Sequence, residues 1–155
     1  MATISDVSRE LRRLIDLISR LTHYSEDVLC KPIEEGKWSI RDIISHIMGW
    51  DKDFTEKLDH FISSGEVMLD EHPDVQAFNE ASVAYGRSMK PHDLLQEATL
   101  QREQLILILS KVPEAAFTKP IPGSPYTLEA FLQDMFIHHD KHHEGQIISY
   151  LQSHQ

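Results

Sequence analysis

The sequence predicts an all-α protein: a four-helix bundle made of two duplicated helix pairs, with a long crossover carrying a short extra helix. Three observations lead there. Apolar residues recur at three- and four-residue intervals in several long segments. A stretch of chain repeats at an offset of 88, Cys30 over Thr118 through Ile47 over Met135. Strand signals are missing, with no long alternating run and no Asn-Gly or Asp-Gly dipeptide.

The first helix carries Ile4, Val7, Leu11, Leu14, Ile18 and Leu21 on one face. A second begins at Ser39, where Asp42 three residues on completes a capping box, and runs to about Ser63 with Ile43, Ile47, Trp50, Phe54, Leu58 and Phe61 inward. Ser64 to Pro73 has no period and contains Gly65 and Pro73, so it is expected as a loop, followed by a short helix from Asp74 to about Tyr85. Pro91 suits the first turn of the third long helix, which buries Leu94, Ala98, Leu105, Ile108 and Val112. The last starts at the cap Thr127 and aligns Leu128, Leu132, Met135, His139, His143, Ile147 and Tyr150 on one stripe.

In the repeat, CKPIEEGKWSIRDIISHI lies over TKPIPGSPYTLEAFLQDM without a gap. Trp38 meets Tyr126, the caps Ser39 and Thr127 coincide, and Ile43 and Ile44 meet Phe131 and Leu132. Upstream, Leu17, Ile18 and Leu21 meet Leu105, Ile106 and Leu109. The chemistry-bearing residues do not repeat. His46 falls on Asp134 and Asp51 on His139, so any site is asymmetric and occurs once per chain.

The composition fits one domain over residues 1–155, with 41% hydrophobic residues supplying its core. Fifteen basic against twenty-five acidic residues leave a net charge of -10, which repels a phosphate backbone and argues against nucleic acid as a partner. The single Cys30 has no internal disulfide partner, and the start MATISDVSRELRR lacks a secretory pattern, so a cytoplasmic location is expected. The longest aliphatic run, Leu105 to Leu109, is far short of the roughly 20 residues needed to span a bilayer, so no membrane is expected.

Of ten histidines, three stand out. His139 and His143 lie four apart on a helix, where Cβ atoms are about 5–6 Å apart, so both rings reach one divalent ion. His46 is the third candidate, bordered on its helix by Ile43, Ile47 and Trp50. A lone histidine there would ordinarily be a core residue satisfied by a hydrogen bond. Three buried imidazoles without partners would cost about 1–3 kcal/mol each, which a shared ion removes. Three such ligands leave a fourth position for water or substrate. His138 and His142 lie about 100° round the helix, outside the ligand set but near its mouth. His23, His60, His72, His92 and His154 are expected as polar surface. Asp51, Asp140 and Glu144 are candidate acceptors for ring N–H groups.

Other chemistries fit poorly. A di-iron carboxylate bundle needs Glu-x-x-His pairs, and no Glu here is followed three positions on by His. His139 to His143 is formally a His-Asp-x-x-His form of the metalloprotease helix, but Asp140 is shorter than the usual Glu and no cleft signature accompanies it. Cys30 matches Thr118 in the repeat, as a packing residue would. Trp38 and Trp50 fit plain packing or the wall of a pocket.

The segments EGKWSIRDIISHIMGWD and HHDKHHEGQI resemble the two signature helices of the DinB/YfiT-like proteins, over almost the whole chain. The resemblance implies a four-helix bundle of duplicated helix pairs in which His46, His139 and His143 hold a divalent ion, commonly zinc or nickel. It implies a homodimer, and, as one activity in the family, transfer of a low-molecular-weight thiol to an electrophilic substrate. The same ligands would serve a hydrolase that activates water, or a metal-binding or scaffold protein without turnover.

Overall fold

The computed structural model describes residues 2–66 and 74–153; residues 67 to 73 of the loop expected over Ser64 to Pro73, with His72, and also His154 lie outside them, while Ser64 closes a helix capped by Gly65. The architecture is all-α, with no strand among the described residues. In order come α1 (Ile4–Leu11), α2 (Arg13–Leu21), α3 (Glu26–Cys30), α4 (Ile40–Ser64), α5 (Val75–Arg87), α6 (Pro91–Leu109), α7 (Glu114–Phe117), α8 (Leu128–Leu132), a π-helical turn (Gln133–Ile137) and α9 (His138–Ser153).

Local chemistry sets the starts. Ser39 Oγ accepts from Asp42 N at 3.1 Å and Asp42 Oδ2 accepts from Ser39 N at 3.2 Å, the expected capping box of α4. Arg87 at the end of α5 grips the same carboxylate at 2.9 and 3.0 Å, tying the crossover helix to that cap. Burial works against the Asp42 charge, but Arg87 and the Ser39 N–H hold its pKa below the ordinary value. Asp74 caps α5, Pro91 opens α6 and Thr127 caps α8, as expected.

The duplication is visible in the backbone. α3 and α7 each lead into a loop closed by an antiparallel bridge, Pro32 with Ser39 and Pro120 with Thr127, both at the offset of 88. Ile33 N donates to Trp38 O at 3.0 Å, and Ile121 N to Tyr126 O at 2.8 Å.

The first expected helix is two, α1 and α2, separated at Arg12. The interruption follows Leu11, whose carbonyl oxygen accepts from Arg102 Nη1 at 3.0 Å. A carbonyl drawn toward an outside donor tilts off its own ladder and bends the helix.

The expected stripe on the last helix is broken at one residue. Met135 is 49% exposed, while Phe136 and Ile137 are buried. The π-helical turn fits one extra residue into a turn and moves everything after it one position along. Leu128 and Leu132 keep the offset of 88 from Ile40 and Ile44. Phe136, Ile137, Asp140, His143 and Ile147 instead match Ile47, Met48, Asp51, Phe54 and Leu58, all buried, at an offset of 89. Asp51 therefore corresponds to Asp140 and not, as the ungapped repeat suggested, to His139.

That correspondence lies at the centre of the molecule. Arg102, on the buried face of α6, donates to Asp51 Oδ2 and Oδ1 at 2.7 and 3.0 Å, to Asp140 Oδ2 and Oδ1 at 2.6 and 3.2 Å, and to Leu11 O. All five guanidinium N–H groups are used. One side chain thus joins α1, α4, α6 and α9. It also divides the core. One apolar cluster holds Leu11, Phe54, Leu105 and Phe136; the other holds Leu14, Ile47, Ala98 and Ile147. On each of the four helical stretches the clamp falls between them.

Burial opposes charge here, yet the two carboxylates hold the Arg102 pKa above its ordinary value. Burial pushes Asp51 up to about 6 against the pull of the guanidinium, so it is ionised at neutral pH. Removing one partner leaves the opposite charge buried and unpaired. Arg102→Met is expected to lower unfolding free energy by about 3–5 kcal/mol, whereas Arg9→Met, at an exposed pair with Asp6, changes it by about 0.5 kcal/mol or less; urea unfolding of the two variants checks the contrast.

Candidate metal centre

The clamp bears directly on the three singled-out histidines. Asp51 lies five residues after His46 on α4, and Asp140 directly follows His139, so the contacts to Arg102 hold α4 and α9 together beside the imidazoles. Helical geometry does the rest. His46, on the buried face of α4, and His139 and His143, one turn apart on α9, meet with ring centroids 4.4–5.2 Å apart. Their Nε2 atoms converge: His46 to His139 is 2.9 Å and His139 to His143 is 3.0 Å. Ligand atoms of the three lie within 4.8 Å of one another.

The outer ring nitrogens decide the protonation. Asn79 Oδ1 on α5 accepts from Trp50 Nε1 at 2.8 Å, and an indole N–H can only donate, so that atom is the amide oxygen. His46 Nδ1, 3.0 Å from the same oxygen, must then carry a proton. His143 Nδ1 likewise donates to Gln146 Oε1 at 2.7 Å. Both rings are neutral at ordinary pH. Burial, then the neighbouring His139 and His143, lowers the His46 pKa to about 4. Burial, then His143, lowers His139 to about 4. Burial lowers His143 as well, against the Gln146 hydrogen bond.

A neutral ring protonated at Nδ1 presents a lone pair at Nε2. His46 and His143 therefore aim lone pairs at one point, and His139 has at most one proton to share between them. One proton cannot serve both contacts fully, whereas a cation among the nitrogens would meet all three lone pairs. Bonds of about 2.0–2.1 Å to a tetrahedral ion require nitrogens about 3.3 Å apart, a few tenths of an ångström wider than the two contacts His139 makes, at 2.9 and 3.0 Å. These three residues could hold a divalent ion.

Two glycines bring the orienting amide into place. A Cβ at Gly49 would lie 2.8 Å from Ser82 Cβ, and one at Gly86 would lie 2.6 Å from Ser45 Cβ, so α4 and α5 approach as only glycine allows. Trp38, in the loop before α4, packs its ring 4.9 Å from that of His46. A cavity of about 310 Å³ abuts His143 and is walled by Ile33, Lys37, Trp38, Ile43 and Gln146.

The expected triad is brought together in full, and its expected supports are not. Asp51 and Asp140 bind Arg102, and Glu144 binds Arg13 at 3.1 Å, so none of them accepts from a ring N–H of the triad. Amides do that instead, because carboxylates here meet a nearby guanidinium. Gln146 was legible as the residue three beyond His143. Arg102 was legible as a charged residue on the apolar face between Ala98 and Leu105. Asn79 gave no local signal. His138 and His142 are exposed and outside the ligand cluster, although the His142 ring lies 5.2 Å from that of His143. His23 and His60 are exposed as expected; His92 is half-buried and donates to Tyr24 O at 2.9 Å, a structural contact.

Two outcomes follow for the centre. Asn79→Leu is expected to weaken metal binding about 10–100-fold by freeing the His46 ring, measured by competition with a chromophoric chelator. In metal-free protein, His46 and His139 take up protons on unfolding below pH 6.5 but in the fold only near 4. Their contribution to stability is thus present above 6.5 and is lost as pH falls toward 4. Asp51, raised to about 6, acts in the opposite sense. Urea midpoints of wild type and His46→Leu across this window isolate the histidine part, and the variant should show the shallower acid loss.

Comparison with known proteins agrees with this geometry. Neither the curated proteins nor the solved structures give a significant match. The family model of the DinB superfamily matches residues 7–147, which include all three histidines and Arg102 with both of its aspartates. The chain belongs to the DinB superfamily.

Proposed function

We propose that His46, His139 and His143 bind a divalent ion, zinc or nickel, and that the protein uses it to transfer a low-molecular-weight thiol to an electrophilic substrate. The observation that carries this reading is the convergence of three Nε2 atoms, with the outer nitrogens of His46 and His143 held as donors by Asn79 and Gln146. An ion at that point supplies a positive charge that lowers the pKa of a thiol brought to its remaining position. The chain's own residues do the positioning. Asn79 and Gln146 fix the ring planes, Trp38 covers one side of His46, and Ile33 and Ile43 keep the neighbouring cavity apolar.

A specific arrangement favours thiol over water as the nucleophile. Asp51 and Asp140 are committed to Arg102, which leaves neither as a general base. A thiol ionises near pH 8.5 unaided, whereas water must be acidified from 15.7 to about 7. The expected homodimer has a candidate surface on α6, where Leu100 and Leu107, two turns apart, are 60% and 52% exposed. Sedimentation equilibrium that reads only the mass of one chain would remove the dimer. No helix of the described residues is long and apolar enough to cross a membrane, which fits small-molecule partners met in a cytoplasmic setting.

Elemental analysis of protein purified without a tag should find about one ion per chain. His46→Ala, His139→Ala and His143→Ala should each lose it, and His142→Ala should retain it. Metal-loaded wild type, given a panel of thiols and electrophiles, should turn over only when a thiol is present. Turnover without thiol would replace transfer by hydrolysis, and equal metal content in all four variants would sink the ligand assignment.

A further inference from the structure

The cavity beside His143 has a composition that specifies its ligand. Its volume of about 310 Å³ lies at the lower end of small-molecule sites, about 300–1,000 Å³. Ile33, Ile43 and Trp38 supply apolar walls, and His143, one of the three histidines, lines the cavity together with Gln146, its hydrogen-bond partner. Lys37 is the remaining functional group. It makes no ion pair among the described residues, in a chain whose net charge is -10.

The loop that carries Lys37 is held at both ends. Pro32 and Ser39 bridge, Ile33 N donates to Trp38 O, and an inner turn is closed by Lys37 N to Glu34 O at 3.0 Å with Gly36 at φ 76°. The duplicate loop has the same outer frame from Pro120 to Thr127, with its inner turn placed one residue earlier around Gly123 at φ 80°. There, Pro125 stands where Lys37 does and Tyr126 where Trp38 does. The frame therefore closes without a lysine. A lysine is present in the loop whose cavity touches His143 and missing from the corresponding place in the other loop.

We propose that this cavity is the ligand pocket of the metal centre and that it selects a small molecule with an apolar body and an anionic group, the anion pairing with Lys37 while the opposite end reaches the triad. This rests on the metal reading above. The net charge of -10 disfavours an anion in general, and Lys37 places a positive charge at this cavity. Trp38 and the two isoleucines hold the body without demanding polar groups of it.

The test uses cobalt-loaded full-length protein and two probes of matched shape, 3-mercaptopropionate and its neutral analogue 3-mercaptopropionamide. Both are titrated against the cobalt absorption spectrum and by calorimetry. Wild type should prefer the acid over the amide, and the ratio of affinities should fall by about threefold to fivefold in Lys37→Ala, the range of a solvent-exposed ion pair. Lys37→Arg should keep the preference and Lys37→Glu should reverse it. Comparing ratios removes the intrinsic difference in thiol acidity between the probes. An identical ratio in wild type and Lys37→Ala overturns the pocket assignment while leaving the metal centre intact. Failure of wild type to bind cobalt overturns the metal reading itself.

Discussion

The buried guanidinium of Arg102 is the constraint from which the rest of the molecule takes its geometry. Five N–H groups reach two carboxylates and a backbone carbonyl on three other helices, which leaves little freedom in how α1, α4, α6 and α9 meet. Such a cluster is an inefficient source of stability, because desolvating three charges offsets most of their attraction. Its value lies in register. Apolar side chains on either side could slide along one another with modest loss, whereas a helix shifted by one residue would leave a charge buried without a partner. The histidine triad sits beside this layer and takes its accuracy from it.

Most of the helices were legible because they follow from rules that act over a few residues. Apolar spacing, the Ser39 and Asp42 box, Thr127 and Pro91 each identify an element from its own neighbourhood. His139 and His143 were legible for the same reason, since four residues make one turn. His46 needed more. Its position on an apolar face gave the candidate, and the packing of α4 against α9 gave the meeting.

What the sequence did not disclose depends on tertiary contacts. The split at Arg12 accompanies a hydrogen bond from a residue 91 positions away. Asn79 orients His46 because Gly49 and Gly86 let two helices approach, and no motif around Asn79 announces that. Asp51 and Asp140 were expected to support imidazoles because carboxylates commonly do. An arginine on the buried face of a third helix takes both, and neutral amides fill the role. An amide oxygen still accepts the ring proton, and it does so without adding negative charge to the centre.

The π-helical turn at Gln133–Ile137 has a consequence for the symmetry of the molecule. With strict duplication, the two helix pairs would be interchangeable, and equivalent positions would face one another across the axis. One surplus residue puts Asp140 opposite Asp51, so the halves mirror each other in the arginine layer, while His143 occupies the slot that Phe54 fills in the other half. A like-for-like scaffold thereby acquires a front and a back, with an aromatic ring on one side of the arginine layer and a nitrogen donor at the matching place on the other, through a register change of one residue.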